Sequence, residues 1–305
     1  MDQRYRETVQ LLLDVAPFIF RGTEFAMKGG TAINLFHRDM PRLSVDIDVV
    51  YVHANQPREE ALNAISEALN RAATDLEQRG FSVRRQAATG MGDIKLFVRR
   101  GLPEVKVEVN PVGRGTLHPV RPAELCALAA DEFKRALKLP ILAPAELYGG
   151  KLVAAMDRQH PRDWFDCLLL RQNEGLTAEV RQAFVAYVAG HNRPINEILT
   201  PNPQPLETTY RNDFVGMTRD DVSLEMLEET RDWLFRELPV SLTRDERDFL
   251  LSLKAGEPDW QLLPFPTLKD MPAVKWKLQN IRKLKQSNPR KHATLLATLE
   301  KKLRR

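Results

Sequence analysis

Apolar positions recur three and four residues apart between Asp2 and Ala16, with Leu11, Leu12 and Val15 on one face, and this spacing predicts a first helix. Phe25 to Lys28 reads as a short strand that Gly29 and Gly30 break, and Thr31 to His37 fits a short helix behind them. Val45 to Val52, rich in Val and Ile and bounded by Pro41 and Pro57, predicts a second strand. A long helix follows over Pro57 to Arg79, where Leu62, Ile65, Leu69, Ala72 and Leu76 keep the period and Gly80 closes it. Three strands are predicted at Phe81–Gln86, Asp93–Arg99 and Glu104–Val109, the last two joined by a tight turn at Gly101-Leu102-Pro103. From Arg121 onward the strands are expected to stop.

The second half reads as helical. Helices are predicted over Ala145 to Asp157 and Arg162 to Leu170, then an irregular proline-rich connector from Arg193 to Thr209. Thr218-x-x-Asp221 and Thr243-x-x-Glu246 resemble capping boxes that open further helices. Two amphipathic helices end the chain, split near Asn288-Pro289. One carries Val274, Leu278, Ile281 and Leu284, the other Leu295, Leu296, Leu299 and Leu303. The order of elements predicts an α/β (α+β) core over residues 1–120 and a mainly helical domain over residues 121–305.

Composition narrows the class without changing this picture. Of 305 residues, 43% are hydrophobic and 28% charged, as in ordinary globular proteins. No apolar run approaches the roughly 20 residues a membrane helix needs, and Met1-Asp2-Gln3-Arg4 shows no export signal. Cys126 and Cys167 form no Cys-x-x-Cys, and the histidines form no His-Glu-x-x-His, which argues against a disulfide framework or a zinc site. The expected compartment is a reducing cytosol.

Charge, by contrast, is unevenly placed. The net charge of +4 hides a block over residues 272–305 with 11 Lys or Arg against the single acid Glu300, while the rest of the chain is net negative. Such a block points to a polyanion gripped through phosphates, with Lys275, Lys277, Arg282, Lys283, Lys285, Arg290 and Lys291 as contacts; the plain alternative is a solvated tail.

The candidate chemistry lies near the N-terminus. A strand entering a helix through Lys28-Gly29-Gly30-Thr31 leaves backbone N–H groups open to phosphate oxygens. In Ser44-Val45-Asp46-Ile47-Asp48, alternation puts Asp46 and Asp48 on one strand face. Adjacent carboxylates repel, and a divalent cation between them relieves the repulsion. A phosphate cradle followed by a carboxylate pair is the layout of a nucleotidyl-transfer site. Each motif alone is commonplace; the two in series carry the reading.

These residues resemble the polymerase-β-like nucleotidyltransferase superfamily. More closely, Lys28-Gly29-Gly30-Thr31-Ala32 continuing to Arg42-Leu43-Ser44-Val45-Asp46-Ile47-Asp48 resembles the AbiEii/AbiGii toxin family of bacterial toxin–antitoxin and phage-defence systems. Further family motifs match at Lys106-Val107-Glu108, at Glu146 with Lys151 five positions on, and at Arg162-Asp163-Trp164-Phe165-Asp166. The resemblance covers Lys28 to Asp166.

It implies a polymerase-β-like core with a mixed sheet and transfer of a nucleoside monophosphate from an NTP. Asp46, Asp48 and Glu108 would hold a Mg²⁺ pair, and Lys28, Gly29, Gly30, Thr31, Ser44, Lys106 and Lys151 would hold the nucleotide. Asp163 and Asp166 either orient Lys151 and Arg162 or act in catalysis, and Ser44 either touches phosphate or is a modification site. The implied acceptor is the 3′ end of tRNA, so that translation stops, and the implied partner is a cognate antitoxin encoded nearby. Transfer onto a protein hydroxyl, or a non-catalytic RNA- or antitoxin-binding module, are the other readings.

Overall fold

A computed structural model describes residues 1–86 and 94–303, so Asp93 of the expected third-sheet segment and Arg304 and Arg305 of the basic block lie outside the described residues. The chain divides into two compact units. The first comprises residues 1–147 with 214–221, the second residues 148–213 with 222–305.

The first unit is built on a mixed sheet. Its elements are α1 (Gln3–Ile19), β1 (Phe25–Lys28), α2 (Gly29–Ala32), β2 (Asp46–Tyr51), α3 (Arg58–Gln78), β3 (Ser82–Gln86), β4 (Ile94–Arg99), β5 (Glu104–Val109), β6 (Arg121–Glu124), α4 (Ala127–Phe133) and β7 (Lys138–Ile141). The strand order is β3-β4-β5-β2-β1-β7-β6. β2 runs parallel to β5 and β1 parallel to β7, while the remaining pairs are antiparallel. Ile47, Val49, Val105, Val107 and Val109 are buried; α1 packs against β2 and β5, and α3 against β3 and β4. Burying each such side chain stabilises the fold by about 1.5–3 kcal/mol. The alternate residues Asp46, Asp48, Lys106 and Glu108 remain partly exposed, so alternation separates core from chemistry.

Several expectations need correction. Strands do not stop at Arg121: β6 and β7 extend the sheet. β6 shows no alternating pattern and β7 only a brief one, with Leu139 and Ile141 buried; Pro122 sits opposite Pro140, a pairing to which neither contributes an N–H. β7 is a strand because it lies beside β1, with Met27 opposite Ile141 and Leu142 N–H donating to Met27 C=O. Thr31 to His37 is not one α-helix; α2 passes into a π-helical turn over Ile33–His37. Thr218-x-x-Asp221 caps nothing, since Thr218 forms a β-bridge with Arg42.

The second unit is helical. The division falls within α5 (Pro144–Arg158), followed by α6 (Pro161–Gln172), α7 (Ala178–Gly190), α8 (Ile195–Leu199), α9 (Glu207–Asp213), α10 (Leu224–Ser241), α11 (Arg244–Ala255), α12 (Pro272–Ser287) and α13 (Pro289–Leu303). The expected connector over residues 193–209 therefore contains α8 and the start of α9. α10 is capped by Ser223, whereas Thr243 and Glu246 form the reciprocal box expected for α11. α5 and α7 pack closely at Gly149, where a methyl group would lie 2.6 Å from Ala183 Cβ. α12 and α13 split at Asn288 with Val274, Leu278, Ile281, Leu299 and Leu303 buried, as their periodicity predicts. Among the described residues no helix is long and apolar enough to cross a membrane.

Candidate active site

β1 delivers the chain into the glycine turn directly beside the acids. Lys28 is the register partner of Asp48, and Gly29 follows with φ +75°, a conformation that side chains resist. A methyl group on Gly29 would lie 2.3 Å from Asp48 Oδ2, and one on Gly30 would lie 2.6 Å from Arg42 Nη2. Gly29 is thus demanded by the turn as well as by close approach, while Gly30 is crowded by the Arg42 guanidinium.

Thr31 and Ser44 join the turn to the start of β2. Thr31 Oγ1 donates to the Asp46 carbonyl at 2.5 Å and lies 2.9 Å from Ser44 Oγ. Both side chains are buried, so their hydroxyls hold the glycine turn to the acidic strand. Arg42 is buried as well and donates from Nη1 to Leu43 C=O at 2.9 Å. Its place beneath Gly30 is set by the fold and has no signal in the neighbouring sequence.

The carboxylates meet through strand register. In the parallel pair β2–β5, Asp46 lies opposite Lys106 and Asp48 opposite Glu108. Lys106 Nζ stands 2.8 Å from Glu108 Oε2 and 3.9 Å from Asp46 Oδ1. Burial disfavours its ammonium, but the Glu108 hydrogen bond and the charges of Asp46, Glu108 and Asp48 outweigh this and raise its pKa. A second cation, Lys95 on β4, is the register partner of Glu108 and reaches 3.4 Å from the same Oε2. Lys95 was missed because only the sheet order brings β4 beside β5.

The residues present suit a divalent cation in kind. Three carboxylates supply hard oxygen ligands, and an ammonium already stands between two of them. Among the described residues no three acidic, His or Cys side chains yet converge as a ready cluster. Lys106 occupies the space between Asp46 and Glu108 that a cation would share.

Past β5 the chain is fastened at three points. Asn110 Oδ1 accepts from Val112 N and Gly113 N, Tyr51 C=O accepts from Gly115 N, and Glu146 accepts from Leu117 N and His118 N at 2.9 and 3.2 Å. Glu146, fully buried, thus anchors the segment that follows Glu108.

In the second unit Lys151, only 6% exposed, is held between two fully buried acids. Its Nζ lies 2.8 Å from Asp163 Oδ1 and 3.0 Å from Asp166 Oδ2. Arg158 closes on Asp163 with two hydrogen bonds of 2.6 and 3.0 Å. Burial alone would raise the Asp163 pKa, but Lys151 and Arg158 hold it far below the carboxylate range. Burial and the two acids push the neighbouring Cys167 thiol well up, which leaves it inert.

The expected basic grip is thinner than the sequence suggests. Lys277 points inward and donates to the carbonyls of His191 and Arg193, so it cannot serve as a phosphate contact. Arg282 donates to Gly256 C=O, and Lys285 to Ala255 C=O and Glu257. Lys275 lies 3.4 Å from Asp270, while Lys283, Arg290 and Lys291 are exposed. Helical periodicity places Lys277 on the buried face with Val274 and Ile281, a signal that net charge obscured.

Comparison with known proteins bears on the family and the fold. The family model described as "Nucleotidyl transferase AbiEii toxin, Type IV TA system" matches residues 10–280. The fold is similar to that of MenT4, a nucleotidyltransferase toxin from Mycobacterium tuberculosis, with TM-score 0.62 and 18% identity over 92% of this chain and 95% of that one. No curated protein matches the sequence.

Proposed function

The chain belongs to the AbiEii nucleotidyltransferase toxin family of type IV toxin–antitoxin systems, and on that premise we propose that it transfers a nucleoside monophosphate from an NTP to the 3′ end of tRNA. The observation that carries the reading is the register that sets Asp48 opposite Glu108 on neighbouring strands, with Gly29 close against Asp48.

In this reading the backbone of Gly29 and Gly30 receives phosphate oxygens, with Lys28 at the turn. Asp46, Asp48 and Glu108 would hold the Mg²⁺ pair, which when bound polarises the α-phosphate and offsets charge on the leaving oxygen. Glu108 accepts the proton of the attacking hydroxyl. Lys106 and Lys95, displaced from the carboxylates, turn their ammonium groups to the phosphates. Thr31, Ser44 and Arg42 position the glycine turn. Lys151, Asp163 and Asp166 form a buried ion-pair cluster of the second unit, with Asp163 and Asp166 as the residues that hold Lys151. The buried Ser44 hydroxyl argues against its modification. The antitoxin is the partner that family membership brings.

The test is incubation with each α-labelled NTP, Mg²⁺ and total tRNA, beside an Asp48→Asn control. Label on tRNA that the variant fails to add supports the reading and names the nucleotide. Label on protein would replace the acceptor, and no label with any NTP would sink the reaction.

A further inference from the structure

We infer that the outward face of α12 docks an unpaired stretch of RNA, with Trp276 as the platform on which a base stacks. This inference rests on the reading that the acceptor is RNA.

α12 divides sharply. Val274, Lys277, Leu278 and Ile281 are buried, whereas Trp276, Asn280, Lys283 and Ser287 form an outward row, three or four residues apart. Lys275, Gln279, Arg282 and Gln286 flank that row, and all are exposed. No acidic residue occurs from Pro272 to Ser287.

Trp276 is 41% exposed and, among the described residues, is the only exposed Phe, Tyr or Trp. An indole left in water beside cations is poorly placed for the core of this fold and well placed for stacking. Every base offers a π-face, while Lys275 and Lys283 lie within reach of a backbone and Gln279 and Asn280 can pair with base edges. The bases of an A-form duplex are inaccessible to such a face, which favours an unpaired segment. The charge fits a polyanion; an acidic protein surface is the competing occupant.

The experiment is fluorescence anisotropy with the full chain, a short labelled single-stranded RNA and the same RNA as a duplex, without NTP. Trp276→Ala should weaken single-strand binding by about tenfold, and Trp276→Phe should restore most of it. Lys283→Ala should flatten the salt dependence of log K by about 0.7. Unchanged thermal melts would show that the variants fold. Wild-type affinity in Trp276→Ala, or an equal loss for duplex and single strand, overturns the inference. So does a Trp276→Ala protein that binds RNA normally but escapes its antitoxin, which would assign the face to a protein. Because no transfer is measured, such a failure leaves the nucleotidyl-transfer reading standing, and loss of transfer in Asp48→Asn leaves this one standing.

Discussion

Gly29 and Asp48 approach so closely that a methyl group on the first would stand 2.3 Å from a carboxylate oxygen of the second. The glycine turn is thus packed directly against the acidic strand, with no room for a side chain between them. Gly29→Ala should therefore abolish NTP turnover and, with φ at +75°, lower stability by about 1–2 kcal/mol. A variant with near-normal turnover would show that the turn has room for a side chain.

Thr31→Val removes a buried donor while keeping the shape of the side chain. The Asp46 carbonyl and Ser44 hydroxyl would each lose their partner, at a cost of about 1–3 kcal/mol. Denaturant unfolding reads this directly, and Thr31→Ser should recover most of the loss.

Asp163 contacts both Lys151 and Arg158, whereas Asp166 is seen paired with Lys151. Asp163→Asn should cost about 3–5 kcal/mol by leaving a buried ammonium undercompensated, and more than Asp166→Asn. Adding Lys151→Met to Asp163→Asn should recover part of that loss. The folded pKa of Asp163 is depressed, so its contribution is fully present above the ordinary value of 3.8 and is lost only as pH falls below it. Acid unfolding that begins at higher pH in Asp163→Asn than in wild type is the expected signature.

Lys277 has the same sign of pH dependence in a higher window, because its pKa too is depressed in the folded chain. Burial and the neighbouring Lys254 lower its pKa to about 8 from 10.5. Between those values the unfolded chain binds more protons, so the contribution to stability rises with pH. Below about 8 the cost of the buried ammonium is constant. The unfolding free energy of wild type relative to Lys277→Met should climb by up to about 3 kcal/mol between pH 7 and 10.5. A flat difference would show that Lys277 titrates normally.

Arg114, 5% exposed, has a buried Nε with no hydrogen-bond partner. Burial lowers its pKa, and repulsion from Arg58 adds to the effect against the pull of Tyr51. Arg114→Met should raise stability by about 1 kcal/mol or more. A lower melting temperature in that variant would show that the guanidinium supports the fold.

Much of this molecule is legible in the chain itself. Period-two alternation in Val45–Val52 and Val105–Asn110 separates core valines from Asp46, Asp48, Lys106 and Glu108, because neighbouring side chains on a strand face opposite ways. The glycine pair, the Thr243 box and the break at Asn288 are local signals, and local sterics and hydrogen bonds decide them. The rest depends on partners distant in sequence. β6 and β7 are strands through pairing more than pattern, Lys95 reaches Glu108 only once β4 lies beside β5, and Arg42 enters the site beneath Gly30. Charge counting cannot tell Lys277 from Lys283, because one ammonium is satisfied by carbonyls of the chain before α8 and the other is left in water. Sequence determines which face a side chain takes; only tertiary structure determines what waits on that face.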